Sequence, residues 1–122
     1  MDEVSVKIPA SPIYVKVVRL IAAGLASRLT FTIDDIEDLK IAVDELAGYL
    51  TGSQGREGDL EIRFTIGDGC IDILGQGRFA AEEKVRTELT DFSRMILETV
   101  VDSASLDRRD GVPTFTLSKR KA

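Results

Sequence analysis

The sequence predicts an α+β fold, a two-layer sandwich in which three helices cover one face of a mixed or antiparallel sheet. Three observations carry this prediction. Segments that alternate apolar and polar residues, the pattern of half-buried strands, occur at the start of the chain and repeatedly after residue 59. Two adjacent segments between them place apolar residues at helical spacing. A third helical segment separates two pairs of strands, so the order is β, α, α, β, β, α, β, β.

The first half of the chain contains one strand and two helices. Residues 4–8 alternate and predict the strand. Ser11 and Pro12 indicate an N-cap and a proline at the first helical position, and this helix is expected to end near Arg28. Thr32 is expected to cap the second helix, residues 33–51. The predicted inner faces of the two helices are Val15, Val18, Ile21, Ala22 and Leu25, then Ile36, Leu39, Val43, Leu46, Ala47 and Leu50.

The second half is predicted to form two hairpins around a helix. Residues 60–66 and 70–74 alternate, and the Asp-Gly pair between them predicts a type I′ turn. Residues 75–78 are expected to break the second strand. The third helix is expected over residues 88–103, with an inner face of Leu89, Phe92, Met95, Ile96, Thr99 and Val100. Strands are then expected over residues 104–109 and 114–118.

The composition limits the kind of protein. The 122 residues predict a single domain covering 1–122. The absence of histidine excludes His-based zinc sites and Ser-His-Asp triads, and the one cysteine, Cys70, cannot form an internal disulfide. We expect a cytoplasmic protein, because no apolar run reaches the length of a membrane span and the acidic N-terminus does not resemble a signal peptide.

The charge distribution favours a protein partner over nucleic acid. The net charge is −5, whereas a nucleic-acid-binding domain needs a clustered basic surface. The basic tail, residues 119–121, is interpreted as a solvated end of the chain. An acidic protein is better matched to a basic protein partner. The glycine-rich segment 51–58 is interpreted as a flexible connection in preference to a phosphate cradle, because it precedes a strand and a phosphate loop should open a helix.

One motif on the second helix resembles a known family. Residues 38–46, Asp-Leu-Lys-Ile-Ala-Val-Asp-Glu-Leu, are similar to the first ATP-binding box of the GHKL, or Bergerat-fold, ATPases in the version found in the RsbW and SpoIIAB anti-sigma factors. The order of elements resembles that family over nearly the whole chain. The resemblance therefore implies a Bergerat, histidine-kinase-ATPase-like sandwich.

The resemblance also assigns roles to individual positions. Glu45 matches the general base, and Tyr49 stands where the family has a magnesium-binding asparagine. Gly75 and Gly77 fall in the second box, where Gly75 replaces the adenine-binding aspartate. Residues 87–92, at the position of the glycine-rich lid, contain no glycine. A phenol is a poor magnesium ligand, so no cofactor and no metal are expected, with Mg-ATP kept as the alternative.

Each candidate residue has a structural alternative. Glu45 is a general base or a solvated helix residue. Asp38, Ile41, Glu45 and Tyr49 form one stripe of the second helix, which is the rim of a vestigial pocket, a partner surface or a plain outer face. On the first helix, Tyr14, Val17, Leu20 and Ile21 are expected to pack in the core, although the resemblance implies sigma binding and dimerisation in this region.

Three functions follow from these observations. The leading hypothesis is an anti-sigma factor that holds a sigma factor by protein–protein binding and is released by a STAS-type antagonist. A homodimer is compatible with this hypothesis. The second is an active serine protein kinase that uses Mg-ATP to phosphorylate the antagonist. The third is an unrelated α+β domain that only assembles with proteins.

Overall fold

The computed structural model describes residues 1–80 and 84–121, which form five strands and three helices. In chain order these are β1 (Asp2–Pro9), α1 (Pro12–Arg28), α2 (Ile33–Thr51), β2 (Gly58–Gly67), β3 (Cys70–Phe79), α3 (Asp91–Val100), β4 (Ser103–Arg109) and β5 (Val112–Arg120). The predicted order of elements is confirmed. No helix within these described ranges has the length and apolar character that crossing a membrane requires.

The strands form one sheet in the order β1-β2-β3-β5-β4, and every pair of neighbours is antiparallel. One side of the sheet is apolar and packs in the core with the helices; on β2 this side consists of Leu60, Ile62 and Phe64. The alternate residues Glu61 and Arg63 are exposed. The predicted α+β sandwich is therefore confirmed, and its sheet is antiparallel.

The first two helices follow the signals in the sequence. Pro12 begins α1, and Val15, Val18, Ala22 and Ala26 face the core at helical spacing. The Thr32 side chain caps α2 by accepting the backbone N–H of Asp35 at 3.1 Å. Gly52, with a φ of 66°, ends this helix. Both helices therefore lie where the sequence predicted them.

The prediction that residues 75–78 break a strand is wrong. β3 continues through them to Phe79, and its glycines stay in register, with Gly75 opposite Ile62 on one neighbour and Phe115 on the other. A Cβ atom at Gly75 would overlap the ring of Phe115. These glycines therefore provide room for aromatic rings on the inner side of the sheet and do not end the strand.

Helix α3 is shorter and turned differently than predicted. It starts after the N-cap Thr90, and its buried residues are Ser93, Leu97 and Val100. Phe92, Met95 and Thr99, which were expected to face the core, are exposed. The physical reason is that Thr90 and Ser93 form hydrogen bonds with α2, which orient the first turn.

The type I′ turn occurs in the other hairpin. Between β2 and β3 only Gly69 has a positive φ, so the prediction for Asp68 and Gly69 is wrong. The backbone N–H of Lys121 donates to the Gly69 carbonyl at 2.7 Å, and we attribute the different turn to this tie. Asp110 and Gly111, between β4 and β5, have φ values of 53° and 79°, as a type I′ turn requires.

Candidate functional site

The predicted general base and the predicted magnesium position lie one turn apart on α2. Glu45 and Tyr49 are both half-buried and face the start of α3. Of the other two residues of that stripe, Asp38 is half-buried and Ile41 is exposed. This stripe of α2 is therefore exposed at Ile41 and contacts α3 at Glu45 and Tyr49.

Four side chains meet at this contact, and we call Glu45, Tyr49, Thr90 and Ser93 the hydroxyl cluster. Ser93 Oγ donates to Glu45 Oε2 at 2.6 Å and is acceptor for Tyr49 OH at 2.8 Å. Thr90 Oγ1 also donates to Ser93 Oγ, at 3.0 Å. A hydroxyl has one donor and two lone pairs, so all the hydrogen-bonding capacity of Ser93 is used.

The hydroxyl cluster also caps helix α3. Thr90 Oγ1 accepts the backbone N–H of Ser93 at 3.0 Å, which is an ordinary N-cap. The backbone N–H of Thr90 donates to Tyr49 OH at 3.0 Å. Burial raises the pKa of the Tyr49 phenol. Hydrogen bonds with Ser93 and Thr90 favour the phenolate and outweigh burial, so the pKa of Tyr49 lies below its ordinary value.

Gly75 and Gly77 lie on β3 and face aromatic side chains. The ring of Phe115 covers Gly75, and the ring of Phe79 covers Gly77. Both glycines are buried. At the positions of the second ATP box, the backbone is therefore covered by the chain's own rings.

The connection between β3 and α3 is tied to the rest of the fold by two arginines. Arg56 donates from Nε to the Leu50 carbonyl at 2.8 Å and reaches the Lys84 carbonyl at 3.4 Å. Arg108 donates to the Val85 carbonyl at 2.7 Å. Together with the bond from Thr90 to Tyr49, these contacts anchor residues 84–90.

A second polar group lies at the opposite end of α3. Lys119, which is only 9% exposed, donates from Nζ to the Val100 carbonyl at 2.8 Å. Its Nζ is also 3.7 Å from a carboxylate oxygen of Asp35 and 3.7 Å from one of Asp38. The interpretation of the tail as solvated is therefore wrong for Lys119, which follows Phe115 and Leu117 on the inward side of β5.

Sequence reasoning found Glu45, Tyr49, Gly75 and Gly77 but missed Thr90, Ser93, Arg56 and Lys119. A signal for Thr90 existed, because a threonine followed by aspartate is typical of a helix N-terminus. Ser93 carries no such signal, since a serine between Phe92 and Arg94 suggests an outer face. Among residues 1–80 and 84–121, no group of three or more potential metal ligands is arranged to hold an ion.

Comparison with known proteins identifies relatives of the chain. The serine-protein kinase RsbW of Bacillus velezensis is 40% identical over 77 residues, 61% of this chain and 48% of the relative. RsbW of Bacillus subtilis is 38% identical over 76 residues, 60% of this chain and 48% of the relative. RsbW of Bacillus licheniformis is 29% identical over an alignment of 138 positions that covers 97% of this chain and 85% of the relative. The chain is RsbW-like.

This result confirms the resemblance inferred from residues 38–46. The first two alignments each cover about half the length of the relative, and the third extends over nearly all of the RsbW-like chain. No family model matches the chain.

Proposed function

We propose that this chain is a cytoplasmic anti-sigma regulatory factor, which sequesters a sigma factor by protein–protein binding and is released by a STAS-type antagonist. One observation carries the proposal: α1 presents a stripe of exposed apolar side chains. The stripe consists of Ile13, Tyr14, Val17 and Leu20, and Leu20 is 71% exposed. Contiguous apolar surface of this kind is typical of protein–protein contacts.

The stripe also corrects an expectation about α1. Tyr14, Val17 and Leu20 were expected in the core but are exposed, and only Ile21 of that set packs against the core. Leaving three large apolar residues in water is unfavourable for the isolated chain. A partner that covers them would recover this energy, and the net charge of −5 favours a basic partner.

Nucleotide is not required for this function. In support of this, Tyr49 OH is engaged with Ser93 and Thr90, and aromatic rings cover Gly75 and Gly77 at the positions of the ATP boxes. These contacts support a regulator that binds its partner without ATP. Calorimetry with millimolar ATP and magnesium is expected to show no binding.

The experiment is affinity purification of the tagged chain from its own cells, with a sigma factor identified by mass spectrometry. Leu20→Glu is expected to weaken the complex at least tenfold, as the loss of a central apolar contact does at an interface. Phe92→Glu is the matched control, since Phe92 is 66% exposed on α3. Absence of any sigma factor or STAS protein, or equal effects of the two substitutions, contradicts the proposal.

Dimerisation is the competing use of the same stripe. A homodimer formed through α1 would sediment as two chains in the absence of any partner. Leu20→Glu would then yield a monomer, whereas a stripe reserved for the sigma factor leaves the sedimentation of the free chain unchanged.

The second candidate is the serine protein kinase activity named in the relatives. The observation that favours it is the 2.6 Å hydrogen bond from Ser93 to Glu45, because this carboxylate already accepts a serine hydroxyl. Radiolabelled phosphate transfer to the antagonist, abolished by Glu45→Ala, would support this candidate. Absence of transfer together with retained sigma binding would leave the sequestering function alone.

A further inference from the structure

The Glu45 carboxylate accepts a hydrogen bond from a serine of the same chain, Ser93. Ser93 Oγ approaches the carboxylate to 2.6 Å, the distance of a strong hydrogen bond to a charged acceptor. Glu45 is the residue predicted to activate a hydroxyl on a partner. An internal hydroxyl is therefore bound to one of the two carboxylate oxygens that an external hydroxyl would use.

Polar Ser93 is buried while the apolar residue next to it is exposed, which is the reverse of the usual arrangement. Ser93 is 4% exposed, while its neighbour Phe92 is 66% exposed. Burying a hydroxyl is unfavourable unless its hydrogen bonds are made, and exposing a phenyl ring forfeits apolar burial. The three hydrogen bonds of Ser93 to Glu45, Tyr49 and Thr90 compensate for both effects.

We propose that the hydroxyl cluster is an intramolecular latch, in which Ser93 occupies Glu45 and closes the start of α3 onto α2. A serine or threonine hydroxyl of a peptide that approaches Oε2 of Glu45 has to displace Ser93. The latch also holds the preceding residues, because the Thr90 amide donates to Tyr49 OH at 3.0 Å. It deepens the second candidate function, the serine kinase, on which only its regulatory meaning rests, by giving the Glu45 site a closed resting state that needs no nucleotide.

The first test is amide hydrogen exchange on the chain alone. Tyr49→Phe removes the acceptor of the Thr90 amide, so exchange at Thr90 is expected to accelerate about tenfold, the effect of losing one ordinary hydrogen bond. Amide exchange of residues 84–89 is also expected to accelerate. The amides of β2 and β3 should stay protected, which would demonstrate that the fold persists. Tyr14→Phe, at an exposed tyrosine of α1, is the matched control and should change nothing.

The second test measures access to the Glu45 carboxylate. Carbodiimide coupling of glycine ethyl ester, followed by peptide mass spectrometry, labels carboxylates according to their accessibility. In Ser93→Ala, labelling of Glu45 is expected to rise severalfold, while the exposed Glu98 of α3 is labelled equally in both proteins. Thr99→Ala is the matched control, because among the described residues that hydroxyl bonds to α3 alone, at the Met95 carbonyl, 2.9 Å away.

The outcomes are separate from those of the sigma-binding experiment, since no partner is present. Unchanged exchange at Thr90 in Tyr49→Phe, or equal labelling of Glu45 with and without the Ser93 hydroxyl, overturns the latch. If Ser93→Ala does not fold, exchange at Thr90 in Tyr49→Phe is the deciding measurement. A failed purification of sigma factor would contradict the proposed function and leave the latch standing.

Discussion

The two ends of α3 are fastened by different chemistry. At its N-terminus, the hydroxyls of Tyr49 and Thr90 donate to the Ser93 hydroxyl, which in turn donates to the Glu45 carboxylate. At its C-terminus, the ammonium group of Lys119 donates to the last helical carbonyl, Val100, at 2.8 Å. The helix therefore has a mostly neutral attachment at one end and a buried charged attachment at the other.

This difference indicates which end can open. Each hydrogen bond between the neutral groups contributes about 0.5–1.5 kcal/mol and the bond to the Glu45 carboxylate about 1.5–3 kcal/mol, because water replaces these bonds when they break. A buried ammonium that loses its partners is far less favourable, since its charge stays in a poorly polar environment. We infer that the C-terminal end of α3 is fixed and that its N-terminal end is the movable one, as a latch requires.

The largest effect is expected for Lys119→Met. The substitution leaves Asp35, which is 8% exposed, without its cation, and the free energy of unfolding should fall by about 3–5 kcal/mol. Urea unfolding monitored by circular dichroism measures this change. Lys7→Met on the exposed side of β1 should stay within about 0.5 kcal/mol of the wild type. A loss no larger than that of the control would remove the proposed difference between the two ends.

A double-mutant cycle sharpens the same comparison. Asp35 Oδ2 is buried and has no hydrogen-bond partner among the described residues, so this carboxylate depends on Lys119. Asp35→Ala alone should destabilise the chain, whereas in the Lys119→Met background it should restore stability, giving a coupling energy of about 1–3 kcal/mol. Additive losses would indicate that the two groups do not interact.

At the N-terminal end, Thr90→Ala should have a smaller effect. Loss of an N-cap costs about 1 kcal/mol, and Thr32→Ala, which removes the cap of α2, provides that reference. Thr90 additionally donates to Ser93, so Thr90→Ala should exceed Thr32→Ala by about 1 kcal/mol. Equal losses in urea unfolding would assign Thr90 to capping alone.

The smallest effect is expected for the exposed pair of Arg19 and Asp44, 3.1 Å apart, which joins α1 to α2. Arg19→Met should change the free energy of unfolding by less than about 1 kcal/mol, because water screens this pair. This result would show that burial, and not charge alone, makes Lys119 important.

The protonation of Asp44 offers a finer measurement. Burial raises the pKa of the Asp44 carboxyl above its ordinary value although Arg19 opposes the shift. A folded pKa above the unfolded value means that this group favours the fold more as the pH falls through the folded pKa, and that the contribution is lost as the pH rises through it. In Arg19→Met the carboxyl titration followed by NMR should move to higher pH. A midpoint that moved lower would contradict this assignment of causes.

The sequence predicted most of the fold because its signals were local. The Thr32 cap, Pro12 and the alternating strands each depend on neighbouring residues, and they are confirmed. The errors concern contacts between distant segments. Strand β3 continues through Gly75 because Phe115, forty residues away along the chain, covers it. Likewise, α3 turns Ser93 inward because its partners lie on α2, which no periodicity within residues 88–103 can reveal.

The site was predictable in part for the same reason. Glu45 and Tyr49 were found through the resemblance of residues 38–46 to an ATP-binding box, and four residues of helix place them on one side of α2. Lys119 was missed because it stands among basic residues near the end of the chain, although the alternation of Phe115 and Leu117 already pointed it inward. Its partners, Asp35 and Val100, belong to other elements.

The strand order leaves β1 and β4 at the borders of the sheet. β1 carries exposed Glu3 and Lys7 and ends in Pro9, which lacks an N–H, and β4 ends with three exposed charged residues, Asp107, Arg108 and Arg109. Charges and proline at such borders discourage a neighbouring molecule from extending the ladder. The edges of this sheet are therefore poorly suited to adding a strand from another copy of the chain, which limits aggregation by that route.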